Sequence, residues 1–217
     1  MDLYEAMRCA PTSRRFTAEP VAPEALHRAL ENARFAPSGG NRQGWRVVVV
    51  RDLDRRRAIR DLYLPHWRDY MELTGGAKML AEPEGVDAVR LRMIRGANEY
   101  AERMDELPVH LVIGVRLADL AVTDAKLPRQ SIVGGASIYP FVQNLLLALR
   151  AEGLGAAMTT LLVPAEAEVR ELLGIPEDVA LAAHIGVGHR ADPWPKNLAR
   201  RPVEEFAFAE RFGEPLA

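Results

Sequence analysis

The sequence is poor in cysteine and in lysine. Cys9 is the only cysteine among 217 residues, which excludes an intramolecular disulfide and any metal site built from several cysteines. This cysteine usage fits a reducing compartment, and we expect a cytoplasmic protein. Lysine occurs three times, so 25 of the 28 basic residues are arginines (28 − 3 = 25). Guanidinium groups bind phosphate and carboxylate well, but a GC-rich genome produces the same bias, so the bias assigns no role to any single arginine.

Long apolar runs and a strong net charge are also missing. No window approaches the roughly 18 apolar residues of a membrane span, and the first ten residues lack the apolar core of a secretory signal. The formal net charge is −2 and the pI is about 6.2. These values give no general attraction to nucleic acid or to an anionic membrane. We therefore expect a small-molecule partner, and neither nucleic acid nor a membrane.

Several motifs of familiar sites are absent or incomplete. The sequence has no GxxxxGK[ST] phosphate loop and no GxSxG nucleophile elbow. "GLGAAM" (153–158) lacks the third glycine of a dinucleotide fingerprint, and a helix precedes it where a strand is required. The five histidines are scattered along the chain. We predict no metal site.

The remaining pattern alternates helix-like and strand-like segments without repeats. Helices are predicted over 2–9, from Pro23 to a point before Pro37, over 55–81 and 86–107 with breaks near Gly75–Gly76 and Pro83, over 134–152 and over 165–174. Strands are predicted over 45–50, over 109–115, in the run "GLGAAMTTLLVP" and over 179–188. The run "WRVVVV" (45–50) is almost continuously apolar, which is typical of a strand covered on both faces.

The segment from His189 to Ala217 shows no regular period. It contains four prolines and four large aromatic residues, namely Pro193, Pro195, Pro202 and Pro215 with Trp194, Phe206, Phe208 and Phe212. Apolar rings on an extended segment need a surface to cover, and a second copy of the chain would provide one. We therefore divide the chain into a domain of residues 1–188 and an extended arm of residues 189–217 that packs on a partner subunit.

Four polar stretches lie where the predicted elements end. "PTSRRF" (11–16) offers hydroxyl and guanidinium groups that suit an anion, although a capped turn with exposed charges is the alternative for this stretch alone. "APSGGNRQGW" (36–45) offers hydrogen-bonding side chains and two glycines for close backbone approach. "MTTLL" (158–162) places two threonines at a strand end, and "ARRP" (199–202) adds two guanidinium groups.

In their order and spacing, these stretches resemble the flavin-dependent nitroreductase family. The resemblance covers nearly the whole chain and includes "YPFVQNLLLALRAEGLG", "ELLGIPED", "IGVGHR" and "RRPVEEF". It implies an α+β fold, a three-layer sandwich with a mainly antiparallel central sheet flanked by helices, and an extended C-terminal arm. It also implies a homodimer with flavin mononucleotide (FMN) at the subunit interface.

The resemblance further implies which residues bind FMN. They are Thr12, Ser13, Arg14, Pro37, Ser38, Gly39, Asn41, Gln43, Thr159, Thr160, Leu161 and Arg200. Residues 37–43 would contact the FMN of the partner subunit, and the backbone at 159–161 would face the ring near N5. Arg14 would lie at the phosphate or the N1/C2 edge, and Arg200 at the phosphate. We assign no catalytic acid or base, because flavin itself carries the redox step.

The implied activity is that of an FMN-dependent oxidoreductase. It would take hydride from NADH or NADPH and reduce a small-molecule electron acceptor, which is nitroaromatic, quinone-like or related. Two alternatives stay open. One is a specialised flavoprotein dehydrogenase or oxidase of a natural product that returns electrons to oxygen, and the other is a non-catalytic flavin-binding protein.

The sequence departs from the family pattern in three places. At the three fixed positions of the family motif R-x-S-x-R, this chain has Ala10, Thr12 and Arg14, so one phosphate ligand is missing. At the proline position of the family motif Q-P-W, this chain has Gly44. Residues 53–107 match the pattern poorly. In that region, one helical face at i, i+4, i+7, i+8 spacing either roofs a planar ligand or packs in the core. Its members are Tyr63, Trp67, Tyr70 and Met71.

Overall fold

The computed structural model describes residues 1–216. Over this range the chain forms seven α-helices and four β-strands. The helices are α1 (Leu3–Cys9), α2 (Pro23–Ala33), α3 (Leu53–Leu73), α4 (Gly76–Ala81), α5 (Ala88–Glu102), α6 (Tyr139–Ala151) and α7 (Glu166–Leu173). The strands are β1 (Trp45–Val50), β2 (Val109–Arg116), β3 (Leu154–Thr159) and β4 (Val179–His189).

The four strands form one sheet in the order β1-β2-β4-β3, and every neighbouring pair is antiparallel. The two central strands, β2 and β4, are buried almost throughout. They are rich in β-branched and small apolar residues, which suit a strand with a helix layer on each face. The prediction of a mainly antiparallel central sheet is confirmed.

Side-chain alternation along β2 directs its residues into two separate cores. Leu111 and Ile113 join the cluster formed with α2 and α6, whereas Val112 joins the cluster formed with α3, α5 and α7. Successive residues of a strand point to opposite faces, so one apolar run fills both cores. The result is three layers with the sheet in the middle, and the predicted sandwich is confirmed.

Strand β1 lies at the edge of the sheet, and its side chains are mostly half-buried or exposed, with Val49 40% exposed. Trp45 and Val47 pack against the core formed with α2 and α6, and Val48 and Val50 pack against the core formed with α3, α5 and α7. Both faces are therefore covered in part, and less completely than in the central strands.

One helix boundary differs from the prediction, and one predicted helix break is confirmed. The segment 134–152 begins with a short 3₁₀ turn, Val133–Ser137, and α6 starts only at Tyr139 with Pro140 in its first turn. Glycines 134 and 135 disfavour an α-helix, which explains the later start. The predicted break between α3 and α4 is found at Gly75, whose φ of 72° lies in the left-handed region.

The first part of the C-terminal segment packs on its own chain. Strand β4 continues to His189, Ala191 donates its backbone N–H to Arg15, and Leu198 donates to Arg8. Further on, the rings of Phe208 and Phe212 are in contact in a tilted arrangement, with 49° between their planes and 4.6 Å between their centroids. The part of the arm without such contacts to the body therefore begins near residue 199, later than the sequence indicated.

None of the helices in residues 1–216 combines the length and the apolar character required to cross a lipid bilayer.

Candidate functional site

The candidate site is built on the outer edge of β3. Thr12 forms a parallel bridge with Ala156, and the backbone N–H of Ser13 donates to the carbonyl of Ala156 at 2.8 Å. Beyond this bridge the strand edge from Ala157 to Thr159 lines a pocket of about 330 Å³. An uncovered strand edge presents free backbone donors and acceptors. A ligand in this pocket can therefore hydrogen-bond to the main chain.

An aromatic roof from α3 covers the pocket. Tyr63, Trp67 and Tyr70 all line it. The rings of Tyr63 and Trp67 are nearly parallel, with 14° between their planes and 6.3 Å between centroids. The indole N–H of Trp67 donates to Asn98 on α5 at 2.9 Å, which fixes the ring. Such a roof suits a planar ligand.

This helical face packs mainly in the core, and three of its members also line the pocket. Tyr63, Trp67 and Met71 belong to the core cluster on this side of the sheet, and Met71 is buried away from the pocket. Tyr70 is 44% exposed at the rim. The same helical face thus packs the core and forms the roof.

Three polar side chains determine the electrostatics of the pocket. Arg14 lines it, whereas its neighbour Arg15 is paired with Asp192 at 3.0 Å. Burial raises the pKa of Tyr63, and the Thr159 hydroxyl and the charge of Arg14 oppose the increase. Burial also raises the pKa of Tyr100. Both phenols are therefore neutral at physiological pH.

The hydroxyl of Tyr100 is buried without a hydrogen-bond partner in the described part of the chain. Tyr100→Phe should leave the free energy of unfolding unchanged or raise it by about 1 kcal/mol, because an unsatisfied buried hydroxyl costs roughly 1 to 3 kcal/mol. Urea denaturation of the ligand-free protein measures the difference. Tyr139→Phe is the matched control. It removes a hydroxyl that donates to Ala182 at 3.2 Å, and should lower the stability by about 1 kcal/mol. Equal losses of stability in the two variants would contradict the conclusion that the Tyr100 hydroxyl is unsatisfied.

Ser13 has a different contact from the one implied by the family resemblance. Its side chain is fully buried, and its hydroxyl accepts a hydrogen bond from the Arg190 guanidinium at 3.0 Å. Gly155 permits this packing, since a Cβ there would lie 2.9 Å from the Ser13 hydroxyl oxygen. Ser13 therefore anchors the turn and does not face the pocket.

The loop 37–43 is held by its own hydrogen bonds. The Ser38 hydroxyl accepts from the backbone N–H of Gln43 at 3.0 Å, and the Gln43 amide donates to the Asn41 side chain at 3.0 Å. Gly39 donates its N–H to Ser137 at 3.0 Å. Asn41 and Gln43 both have a φ of 52°, a left-handed conformation that non-glycine residues seldom adopt. The loop has the well-defined backbone expected of a binding segment.

Gly44 has a structural explanation. Its carbonyl accepts the backbone N–H of Arg116 at 2.9 Å. A Cβ at this position would lie 2.7 Å from the Cβ of Asp119, a residue held by Arg116 at 2.7 Å. The close approach of Asp119 therefore favours glycine here.

A single chain does not bring the implied FMN ligands together. Thr12, Arg14 and residues 159–161 lie at the β3 edge, whereas the loop containing Pro37, Ser38, Gly39, Asn41 and Gln43 precedes β1 at the opposite edge. Three strand spacings separate the two edges, about 14 Å. Arg200 lies in the exposed arm and donates to the carbonyl of Ala199. The twelve residues thus form three groups.

Two histidines form a buried pair that the sequence analysis missed. His110 on β2 and His184 on β4 have ring nitrogens 2.9 Å apart, and the other nitrogen of His110 lies 2.8 Å from the Met104 carbonyl oxygen. Burial lowers the pKa of His110 to about 4 and that of His184 well below its usual value. The description of the five histidines as scattered was wrong for this pair. The two residues are 74 positions apart and become neighbours only through the register of β2 and β4. Among residues 1–216 no three His, Cys, Asp or Glu side chains form a group suited to a metal ion.

Comparison with known proteins gives consistent matches. A profile of the nitroreductase family matches residues 11–189. The 5,6-dimethylbenzimidazole synthase of Rhodospirillum rubrum is 30% identical over 92% of this chain and 82% of its own length. The NADH dehydrogenase of Thermus thermophilus is 30% identical over 82% of each chain. A solved iodotyrosine deiodinase bound to FMN and 3-iodo-L-tyrosine has a TM-score of 0.70 at 24% identity, over 96% of this chain and 100% of that one. At that identity, the likeness concerns the fold, and the α+β fold implied by the family resemblance is confirmed.

Proposed function

The chain belongs to the nitroreductase family, and on this basis we propose that it is an FMN-dependent oxidoreductase. It takes hydride from NADH or NADPH and reduces a planar nitroaromatic, quinone-like or related acceptor. The observation that carries the proposal is the free β3 edge beneath the aromatic roof. A flavin ring has two faces to cover and a polar edge that needs hydrogen bonds, and this pocket offers both kinds of contact.

The polar groups present fit the flavin ring. The β3 edge supplies backbone donors and acceptors for the polar edge of the ring. Each would satisfy a group that is costly to leave buried and unpaired. The exposed guanidinium of Arg14 adds a positive charge at the same pocket. These features support FMN as the cofactor.

The residues of this chain would orient the ring and control its surroundings. Bound FMN supplies the hydride chemistry. The Arg14 guanidinium would stabilise the negative charge that accumulates when flavin is reduced. Tyr63 and Trp67 would keep water from one face of the ring. No side chain is required to act as a general acid or base.

The separation of the two edges supports a homodimer. The loop 37–43 cannot reach the β3 pocket of its own chain across about three strand spacings of 4.8 Å each. A second copy would supply this loop, and each pocket would then be completed by both chains. The arm that carries Arg200 would reach the partner in the same assembly.

Flavin analysis and reduction test the proposal. The purified protein is denatured, and the released cofactor is identified by chromatography. The protein is then titrated anaerobically with NADH and with NADPH. We expect FMN, bleached by at least one of the two donors and reoxidised by a nitroaromatic or a quinone. A protein that neither contains flavin nor binds added flavin would refute the proposal.

A second function is favoured by one of the comparisons. A relative at 30% identity is a synthase, so members of this family also serve in biosynthesis. The alternative is a flavoprotein that oxidises a specific natural product and returns electrons to oxygen. Bound FMN that neither nicotinamide reduces, but that a substrate of this kind does reduce, would establish it. A yellow protein inert to every donor and acceptor would instead indicate a non-catalytic flavin-binding protein.

A further inference from the structure

A second, smaller cavity lies at the same β3 edge, on the opposite face of the sheet from the aromatic pocket. Its volume is about 80 Å³, and Ala10, Arg150 and Trp194 are among the residues that line it. Thr12 and Met158 line both this cavity and the aromatic pocket. The two spaces therefore meet at the strand edge, and one flexible molecule can occupy both.

Arg150 places a buried charge in the small cavity, without a carboxylate partner among the residues that the structure describes. It lies in the last turn of α6 and is 9% exposed. Its Nε atom has no hydrogen-bond partner within residues 1–216. The guanidinium carbon lies 3.8 Å from the centre of the Trp194 ring, so the charge faces an indole and not a carboxylate. A buried cation is unfavourable without an opposite charge, so this geometry favours an anionic ligand.

The size of the cavity limits the class of anion. A volume of 80 Å³ equals that of between two and three water molecules at about 30 Å³ each. It accommodates a phosphate group and is too small for the fused ring system of a flavin. Ala10 lines the cavity at the position where the R-x-S-x-R motif has its first arginine. Its small side chain leaves space open beside Arg150.

We propose that this cavity is a phosphate subsite in which Arg150 binds the phosphate monoester of FMN. Arg150 thereby supplies the charge that Ala10 does not. The inference rests on the proposed function, in which the aromatic pocket holds the flavin ring. The polyol chain of FMN connects ring to phosphate and would pass Thr12 and Met158 at the edge of β3.

The residues around Trp194 hold the subsite in place. Arg190 donates to the Ser13 hydroxyl at 3.0 Å and to the Pro193 carbonyl at 3.3 Å. These bonds fix the segment that carries Trp194 over Arg150. Ser13 and Arg190 are thus positioning residues that act through Trp194.

Comparing FMN with riboflavin tests the subsite, because riboflavin lacks only the phosphate. Fluorescence titration of the flavin-free protein gives both dissociation constants. The wild type should bind FMN more tightly. Arg150→Met keeps an apolar contact with Trp194 and should reduce this preference by about 10- to 100-fold, as expected for losing a charge-assisted hydrogen bond. Riboflavin affinity should not change, which also shows that the variant is folded.

Arg28→Met is the matched control, since Arg28 is exposed and already paired with Glu152 at 2.7 Å. Its preference for FMN should equal that of the wild type. An unchanged preference for FMN over riboflavin in Arg150→Met would overturn the subsite. A variant that keeps this preference and loses only a preference for NADPH over NADH, which differ in the 2′-phosphate, would also overturn it. A wild type that binds FMN and riboflavin equally would overturn the subsite and leave the proposed function intact. A wild type that binds neither would overturn both.

Competition by inorganic phosphate provides a measurement on the wild type alone. At constant ionic strength, phosphate should weaken FMN binding and leave riboflavin binding unchanged, because it occupies only the small cavity. An equal effect of phosphate on both flavins, or no effect on either, would contradict the proposal.

Discussion

Acidification from pH 7 to pH 4.5 is expected to lower the free energy of unfolding by about 2 to 3 kcal/mol through His110, since a pKa difference of one unit corresponds to 1.36 kcal/mol. Burial of His184 lowers its pKa as well and acts in the same direction. An unfolded histidine has a pKa of about 6.5, whereas burial lowers that of His110 to about 4 in the folded chain. Below pH 6.5 the unfolded state therefore binds more protons. The stability is fully present above pH 6.5 and is lost as the pH falls toward 4.

Urea denaturation at a series of pH values measures this loss. The double variant His110→Met with His184→Met should show a flatter profile between pH 6.5 and 4.5, because replacing both partners of a buried polar pair by apolar groups can be nearly neutral. His27→Gln, at an exposed position of α2, should keep the wild-type profile. If the double variant is as acid-sensitive as the wild type, the histidine pair does not cause the loss. Asp124 contributes little between pH 6.5 and 4.5. Hydrogen bonds lower its folded pKa to about 2, and the stability they supply is lost mainly below the unfolded pKa of about 3.9.

Deleting residues 199–217 should convert a dimer to a folded monomer and weaken flavin binding. The deletion keeps Leu198, whose backbone bond to Arg8 ties the tail to its own chain. It removes Phe206 and Phe212, which are 64% and 94% exposed in the single chain. Burial of one such ring stabilises by roughly 1.5 to 3 kcal/mol. The homodimer loses two rings from each chain, four in all, so its association constant should fall by about 10⁴-fold or more.

Sedimentation and flavin fluorescence measure the two losses. Because the deletion also removes Arg200, a second variant, Phe206→Ser with Phe212→Ser, keeps the guanidinium and removes only the rings. Leu73→Ser is the control, as Leu73 is 87% exposed at the end of α3. It should remain a flavin-loaded dimer. A truncated chain that sediments as a flavin-loaded dimer would show that the arm plays no part in the interface.

The sequence permitted prediction of those features that depend on local pattern. Alternation and glycine breaks locate most elements, and the polar stretch at 158–162 does end a strand that lines the pocket. Features that depend on register and packing were missed. Nothing in the spacing of His110 and His184 predicts their contact. The apolar pattern of α6 gives no sign that Arg150 turns back into a cavity covered by Trp194, since that contact joins residues 44 positions apart.

The placement of the loop 37–43 and the β3 pocket at opposite sheet edges has a genetic consequence in the proposed dimer. Two alleles, one damaged in the loop and the other at the pocket, would each encode an inactive homodimer. Their mixed dimer would still contain one site assembled from two undamaged halves, so the alleles would complement each other. A chain damaged in both places would inactivate both sites of every dimer that it forms with a wild-type chain. Such an allele would therefore have a dominant-negative effect.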